Sequence, residues 1–246
     1  MKKLIAIFVS ISITYGALAQ MGKVTSALSY IDQGLLDKAK EALDQALVNE
    51  KSKNNPKTWV AKGRLAQECF RSDNPKFKAF YADPLEEALA AYEKALELDP
   101  KGTIDKQLKL NNTYVLLGND FITQGVQRFE AQDFAGALKS FENNIKVATS
   151  PLYIGVPDTG IYFNAGLAAY NAKMYDRAIV HFQKCADMKY EGPMPYFLIY
   201  SCYKEMNDLA NAEATLKKAF ELYPNNQDVI LNLVDFYMTT DKLDEA

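Results

Sequence analysis

The chain has few of the residues on which most catalytic centres depend. Histidine occurs once, at His181, and tryptophan occurs once. A catalytic centre needs converging titratable groups, usually with a base, and the sequence offers neither such a group nor a glycine-rich phosphate loop after a strand. His181 and Cys185 stand one helical turn apart, a spacing that suits a metal ion, but no further histidine or cysteine cluster completes the ligand set. The sequence therefore predicts a protein that is not an enzyme and that uses no cofactor or metal.

The chain also has no block of like charge. It contains 28 Lys and Arg against 31 Asp and Glu, which gives a formal net charge of −3. Binding of nucleic acid through its phosphates requires a basic patch, so no nucleic-acid partner is expected. The stretch "RSDNPKFKAFYAD", residues 71–83, mixes basic and aromatic residues that suit stacking on bases or sugars. The alternative interpretation is that its rings fold over the core and its charges face water.

Cysteine is scarce, with only Cys69, Cys185 and Cys202. An odd number of cysteines does not fit a framework in which every cysteine is paired in a disulfide. A bridge between Cys185 and Cys202 and a set of three buried free thiols both stay open at this point.

The one long apolar run stands at the N-terminus. Lys2 and Lys3 precede "LIAIFVSISI", and the small residues Ala17 and Ala19 follow at the spacing of a cleavage site. The run is shorter than the roughly 20 apolar residues that a membrane span needs. We therefore predict a signal peptide over residues 1–19, no membrane span after its cleavage, and export to the periplasm or exterior of a bacterium.

The rest of the chain contains one spacing that recurs. In "DPLEEALAAYEKALELDP" and "DLANAEATLKKAFELYP", a small residue is followed by a bulky one four residues later, alanine three later and proline five later. Spacings of four and three place three side chains on one helical face, and proline falls where a helix ends. The recurring sets are Ala39, Leu43 and Ala46; Ala88, Tyr92, Ala95 and Pro100; Ala137, Phe141 and Asn144; Ala178, Phe182 and Cys185; and Ala212, Leu216, Ala219 and Pro224.

A second signal precedes each set on another helix. It is a small residue in four cases and a tyrosine in the fifth: Ala27, Gly63, Gly125, Gly166 and Tyr200. A small residue lets two helix backbones approach closely. This arrangement resembles the tetratricopeptide repeat (TPR), a helix–turn–helix unit of 34 residues. The resemblance implies an all-α fold, a right-handed α-solenoid of TPR helix–turn–helix repeats with inserted loops.

The resemblance divides residues 20–246 into six units. Their expected limits are about 20–53, 56–102, 103–151, 159–192, 193–226 and 227–246. Because 34 residues separate Ala178 from Ala212 and Ala212 from Ala246, the second helix of the sixth unit is expected to continue beyond Ala246. Insertions are expected within residues 66–83, within residues 103–117 as an unbroken backward extension of a helix, and at residues 152–158 as an irregular connection.

In this family the first helices of the units line a groove for a protein or peptide. The groove positions on which the prediction rests are Arg64, Phe129, Phe163, Asn164, Leu167, Tyr170, Asn171, Phe197, Lys204 and Asn232. Further groove positions are Val60, Gln67, Ile122, Val126, Glu130, Ser201, Glu205 and Asp235. The alternative is that some of these side chains pack between adjacent helices. The residues with which some family members grip a C-terminal carboxylate are missing. Val24 and Leu28 stand where the first repeat should supply lysine and asparagine, and the matching positions of the third repeat lack lysine and arginine.

The predicted function is a protein–protein interaction scaffold of the cell envelope or secreted space. An apolar and aromatic surface with amides beside it suits an extended peptide or a partner helix. Two alternatives remain at this point: a glycan-binding module that uses the aromatic insertion, and a repeat array that supports a further domain beyond residue 246.

Overall fold

The computed structural model describes residues 22–156 and 158–241. The predicted signal peptide and Ala246 lie outside the described residues. Every regular element within those ranges is an α-helix, which confirms the all-α prediction, and none of these helices is both long and apolar enough to cross a membrane. The helices are α1 (residues 22–32), α2 (Leu36–Leu47), α3 (Glu50–Lys53), α4 (Pro56–Arg71), α5 (Pro75–Lys78), α6 (Pro84–Glu97), α7 (Thr103–Leu110), α8 (Thr113–Glu130), α9 (Phe134–Ala148), α10 (Gly160–Asn171), α11 (Tyr175–Asp187), α12 (Met194–Glu205), α13 (Leu209–Leu222) and α14 (Gln227–Thr239).

Side-chain caps start several of these helices. The Asp83 carboxylate accepts hydrogen bonds from the backbone N–H groups of Leu85 and Glu86, at 3.2 and 3.3 Å, and Pro84 occupies the first helical position. Asp133 and Asp208 cap α9 and α13 in the same manner. Short polar side chains at these positions satisfy N–H groups that have no partner inside the helix, so the sequence sets the helix starts locally.

The chain forms two compact units, each larger than one 34-residue repeat, and the terms first unit and second unit refer to these two. The first contains the described residues up to Asp120 together with Pro151–Ile154, and the second contains Phe121–Ser150 and the described residues from Gly155 onward. Helix α8 begins in the first unit and ends in the second.

Helical hairpins in both units are closed by the predicted small-to-bulky contacts. The alanines that open the pattern in four second helices, Ala88, Ala137, Ala178 and Ala212, are all 0% exposed. At three crossings a glycine faces a buried ring so closely that an added Cβ would stand less than 3 Å from it. These pairs are Gly63 with Tyr92 (2.5 Å), Gly125 with Phe141 (2.4 Å) and Gly166 with Phe182 (2.4 Å). The helix pairing inferred from the repeat is therefore confirmed.

Four hairpin turns share one backbone conformation. In each turn, a residue with a left-handed backbone stands five positions before the alanine that opens the pattern of the second helix. The residue after it donates its N–H to a carbonyl of the preceding helix, as Leu35 does to Tyr30 at 2.8 Å. This geometry closes the end of the first helix. The left-handed residues are Gly34 (φ 71°), Gln132 (φ 61°), Lys173 (φ 59°) and Asn207 (φ 57°).

The aromatic insertion in the first unit packs inward. Phe77, Phe80 and Tyr81 are partly buried against the core of the α1–α2 hairpin, and the Lys40 ammonium lies 5.8 Å from the centroid of the Tyr81 ring. Lys76 remains exposed and pairs with Asp37 at 3.3 Å. Of the two interpretations of this stretch, the structure agrees with rings on the core and charges in water.

The prediction of an unbroken helix over residues 103–117 is wrong. Helix α7 ends at Leu110 and α8 starts at Thr113, with Asn112 between them at φ 50°. Asparagine tolerates this left-handed conformation better than most residues, so the Asn111–Asn112 pair allows a break that contains neither glycine nor proline. The connection after α9 is irregular in its described residues, as predicted; Pro157 lies outside them.

Candidate functional site

A pocket of about 210 Å³ lies on the second unit, between residues of α8 and α10. Both helices are first helices of their hairpins, and five of the six lining residues stand at groove positions identified from the sequence. The lining residues are Val126, Phe129, Glu130, Phe141, Asn164 and Leu167.

The close helix crossing at Gly125 helps to shape this pocket. Because Gly125 has no side chain, the Phe141 ring of α9 lies directly against the backbone of α8. Phe141 is only 2% exposed yet still lines the pocket, so it contributes apolar surface from the inside. Sequence reasoning assigned Phe141 to the core alone; its position opposite a groove-bearing helix was the signal that it would also reach the pocket.

The walls of the pocket are mainly apolar. Val126 is 42% exposed, whereas Phe129 and Leu167 are partly buried against the core of the second unit. The Phe129 ring is held edge-on to Phe134, with 5.1 Å between ring centroids. Since an apolar wall gains free energy when it is removed from water, a side chain that enters this pocket is held mainly by contact area.

Two polar side chains complete the lining. Within the described residues, neither the Glu130 carboxylate nor the Asn164 side-chain amide has a hydrogen bond or ion pair. By contrast, the predicted groove residues Asn171 and Asn232 each donate to a carbonyl of their own helix, at 2.8 and 2.7 Å. Asn164 is therefore the asparagine whose donors and acceptor are available to a bound chain.

The other predicted aromatic residues make contacts inside the protein. Phe163 packs against Phe182 and Tyr190, with centroid distances of 6.1 and 5.7 Å. Tyr170 lies edge-on to Tyr175 at 5.5 Å. Phe197 is partly buried against the core that contains Tyr200 and Leu216. These rings contribute to packing, and alanine substitutions at them will disturb the hairpins as well as the surface.

The predicted groove positions in the first unit are occupied by internal contacts. Arg64 pairs with Asp32 at 2.6 Å. Val60 and Gln67, which we expected at the surface, are only 4% and 5% exposed. The Gln67 side chain accepts a hydrogen bond from the Tyr92 hydroxyl at 3.0 Å and donates one to Asp120 at 2.6 Å.

Lys204, the remaining predicted groove residue, is exposed on α12. Its ammonium group lies 5.2 Å from the centroid of the Tyr200 ring, within the range of a cation–π contact.

The three cysteines are buried free thiols, and Cys185 and Cys202 are not bridged. Burial raises the pKa of Cys185 to about 11 and the pKa values of Cys69 and Cys202 to about 12. His181 lies beside Glu142, with 3.0 Å between Nε2 and the nearer carboxylate oxygen. Within the described residues, no group of three or more His, Cys, Asp and Glu side chains is arranged to hold a metal ion.

Comparison with known families agrees with this architecture. Two family models, both described as tetratricopeptide repeat, match the chain, one at residues 203–246 and the other at residues 85–101 and 159–191. The matched segments of the chain are tetratricopeptide repeats. The matched segments include the α6 pattern, the α10–α11 hairpin that supplies Asn164 and Leu167, and the described helices α13 and α14.

Three solved structures, two of them of TPR proteins, are similar over most of the chain at low identity. A thermophilic TPR protein of Thermus thermophilus is 15% identical, with a TM-score of 0.36 and coverage of 89% of this chain and 99% of that one. PilF of Pseudomonas aeruginosa is 17% identical, with a TM-score of 0.34 and coverage of 91% and 99%. A TPR protein of Parabacteroides merdae is 17% identical, with a TM-score of 0.35 and coverage of 92% and 88%. No curated protein matches the sequence.

Proposed function

We propose that this TPR chain is a non-catalytic scaffold that binds a peptide or a partner protein through the first-helix face of its second unit. TPR repeats in general mediate protein–protein interaction. The observation that supports the proposal for this chain is the pocket itself, in which groove positions of two successive first helices surround one apolar cavity. A partner side chain enters the pocket, and the Asn164 amide bonds the partner's main chain.

The expected contribution of the pocket to the binding free energy follows from the apolar area that a bound side chain buries. Burying one large apolar side chain, or the stem of a long one, is worth about 1.5–3 kcal/mol. Since about 1.4 kcal/mol corresponds to a factor of ten in affinity, blocking the pocket should weaken binding by about 10- to 100-fold. An effect of that size is typical of a central interface residue and larger than that of a peripheral one.

The test uses two valines that differ in position. Val126 lines the pocket, and Val180 on α11 is 67% exposed and is not among the lining residues. Peptides selected from a random display library on the full chain should bind Val126→Lys about 10- to 100-fold more weakly than wild type and bind Val180→Lys normally. Both substitutions place the same side chain on an exposed helix position, so a general effect of lysine appears in both. Equal binding by all three proteins would reject the pocket as the binding site.

We also propose that the protein acts outside the cytoplasm, after removal of residues 1–19. The proposal is supported by the basic, apolar and small-residue segments of the N-terminal sequence in their usual order. Mass spectrometry of the protein recovered from envelope and cytoplasmic fractions tests it, because the exported form should begin at Gln20.

A further inference from the structure

The pocket carries one acidic group with no evident structural use. Glu130 is exposed at the pocket, and its carboxylate has no hydrogen bond or ion pair in the part of the chain that the structure describes. Acids on other helices of the second unit form ion pairs: Glu142 pairs with Arg177, and Glu213 pairs with Lys217. Glu130 is thus available to a group from outside the chain.

The position of Glu130 in its helix makes the local charge more negative. Glu130 is the last residue of α8, and the C-terminal end of a helix carries partial negative charge that favours cations and disfavours carboxylates. Arg128 is the basic residue in the last turn, but its guanidinium donates to the Gly136 carbonyl at 3.2 Å and to the Ser140 hydroxyl at 3.0 Å on α9. A glutamate here opposes helix stability, so folding alone does not explain it.

The apolar walls and the Glu130 carboxylate together suit one kind of ligand side chain. Arginine and lysine have an apolar stem and a cationic head, and they bury the stem along apolar surface while the head stays at the polar edge. Val126, Leu167 and Phe129 offer such a surface, and Glu130 stands among them at the pocket. A guanidinium group also suits a carboxylate and an aromatic ring, since it donates two parallel hydrogen bonds and stacks on the ring.

We propose that the pocket recognises a basic side chain, arginine or lysine, of the bound segment, with the aliphatic stem on the apolar walls and the cationic head paired to Glu130. This inference rests on the proposed function and specifies the chemistry of the partner at that site. The expected ligand is opposite in charge to the C-terminal carboxylates that some TPR proteins grip.

The experiment compares peptide selection on four full-length proteins: wild type, Glu130→Gln, Glu130→Lys and the control Glu221→Gln. Glu221 is an exposed acid on α13 that is not among the lining residues. Wild type and Glu221→Gln should both select peptides with arginine or lysine enriched at one position. Glu130→Gln should lose that enrichment, and Glu130→Lys should reverse it towards acidic residues. An exposed ion pair of this kind corresponds to an affinity loss of about two- to fivefold in Glu130→Gln for a peptide selected on wild type.

Salt dependence and stability separate this role from a structural one. Raising the ionic strength should weaken wild-type binding more than Glu130→Gln binding, because salt screens an exposed pair. The thermal midpoint of Glu130→Gln should equal or exceed that of wild type, because the substitution removes an unfavourable charge from a helix end.

The failures of the two proposals are distinguishable. One outcome would overturn the basic-residue inference and leave the proposed function standing. In it, the selected peptides lose affinity for Val126→Lys, but they carry only apolar residues at the enriched position and bind Glu130→Gln as tightly as wild type. If no selected peptide binds Val126→Lys more weakly than wild type, both the basic-residue inference and the proposed function are overturned.

Discussion

A single methyl group at Gly166 is expected to destabilise the α10–α11 hairpin. A Cβ at this position would lie 2.4 Å from Cε1, 2.6 Å from Cδ1 and 2.9 Å from Cζ of Phe182, whose side chain is 0% exposed. Carbon atoms pack best at about 3.5–4.0 Å, so the ring or the helix must move by about 1 Å within a close-packed core.

The magnitude follows from two opposing effects. Replacing glycine by alanine inside a helix gains about 1 kcal/mol from helix propensity. Overpacking a core by one group costs about 1–3 kcal/mol and sometimes more. We expect the overpacking to dominate, with a net loss of up to about 2 kcal/mol for Gly166→Ala. In a chain of this size each kcal/mol lowers the melting temperature by about 2–4 °C.

The assay is thermal and urea unfolding followed by circular dichroism at the helix band. Gly22→Ala is the control, because nothing lies within 4 Å of a Cβ built at Gly22. Its free energy of unfolding should stay within a few tenths of a kcal/mol of the wild-type value or rise. Phe182→Leu removes two of the three nearest ring atoms, so Gly166→Ala should cost at least about 1 kcal/mol less in that background than in wild type. A rise in stability on Gly166→Ala alone, or equal costs in both backgrounds, would refute the close crossing.

Three further outcomes are expected. The thiols of Cys69, Cys185 and Cys202 should react with a thiol reagent at pH 8 only after denaturation, because burial raises their pKa values to about 11–12 and shields them; rapid reaction in the native state would contradict their burial. Tyr92→Phe should lower the free energy of unfolding by about 1–3 kcal/mol in urea titrations, because it leaves the buried Gln67 carbonyl without its hydroxyl donor; no change would show that the Gln67 contact with Tyr92 adds no stability. If the export proposal is correct, protein recovered from the envelope fraction should have its N-terminus at Gln20, and an intact N-terminus in that fraction would refute cleavage after Ala19.

The helix pairing could be predicted from the sequence because its causes are local. A glycine on one helix and a ring on the next must meet if two helices are to cross closely, and the repeat spacing shows which glycine meets which ring. The contact of Gly125 with Phe141 and that of Gly166 with Phe182 follow from this rule. Groove positions also recur with the repeat, so five of the six residues that line the pocket stand at positions identified from the sequence. That these residues bind a partner stays a prediction.

The first unit was harder to predict because its contacts span the insertions. Gln67 stands at a groove position by repeat spacing, but Asp120, far along the chain, lies 2.6 Å from its side-chain amide. No periodic pattern signals a hydrogen bond between residues so far apart. The break at Asn112 was missed for a different reason: it depends on the tolerance of asparagine for a left-handed backbone, which is weaker as a sequence signal than glycine or proline.

The most direct test of the proposed binding site is a methyl NMR titration of the full chain with a selected peptide. Resonances of Val126 and Leu167, which line the pocket, should shift in proportion to occupancy, while those of Val180 on α11 should stay in place. A peptide that binds with the same affinity but shifts Val180, or leaves Val126 and Leu167 unchanged, would contradict the assignment of recognition to this face.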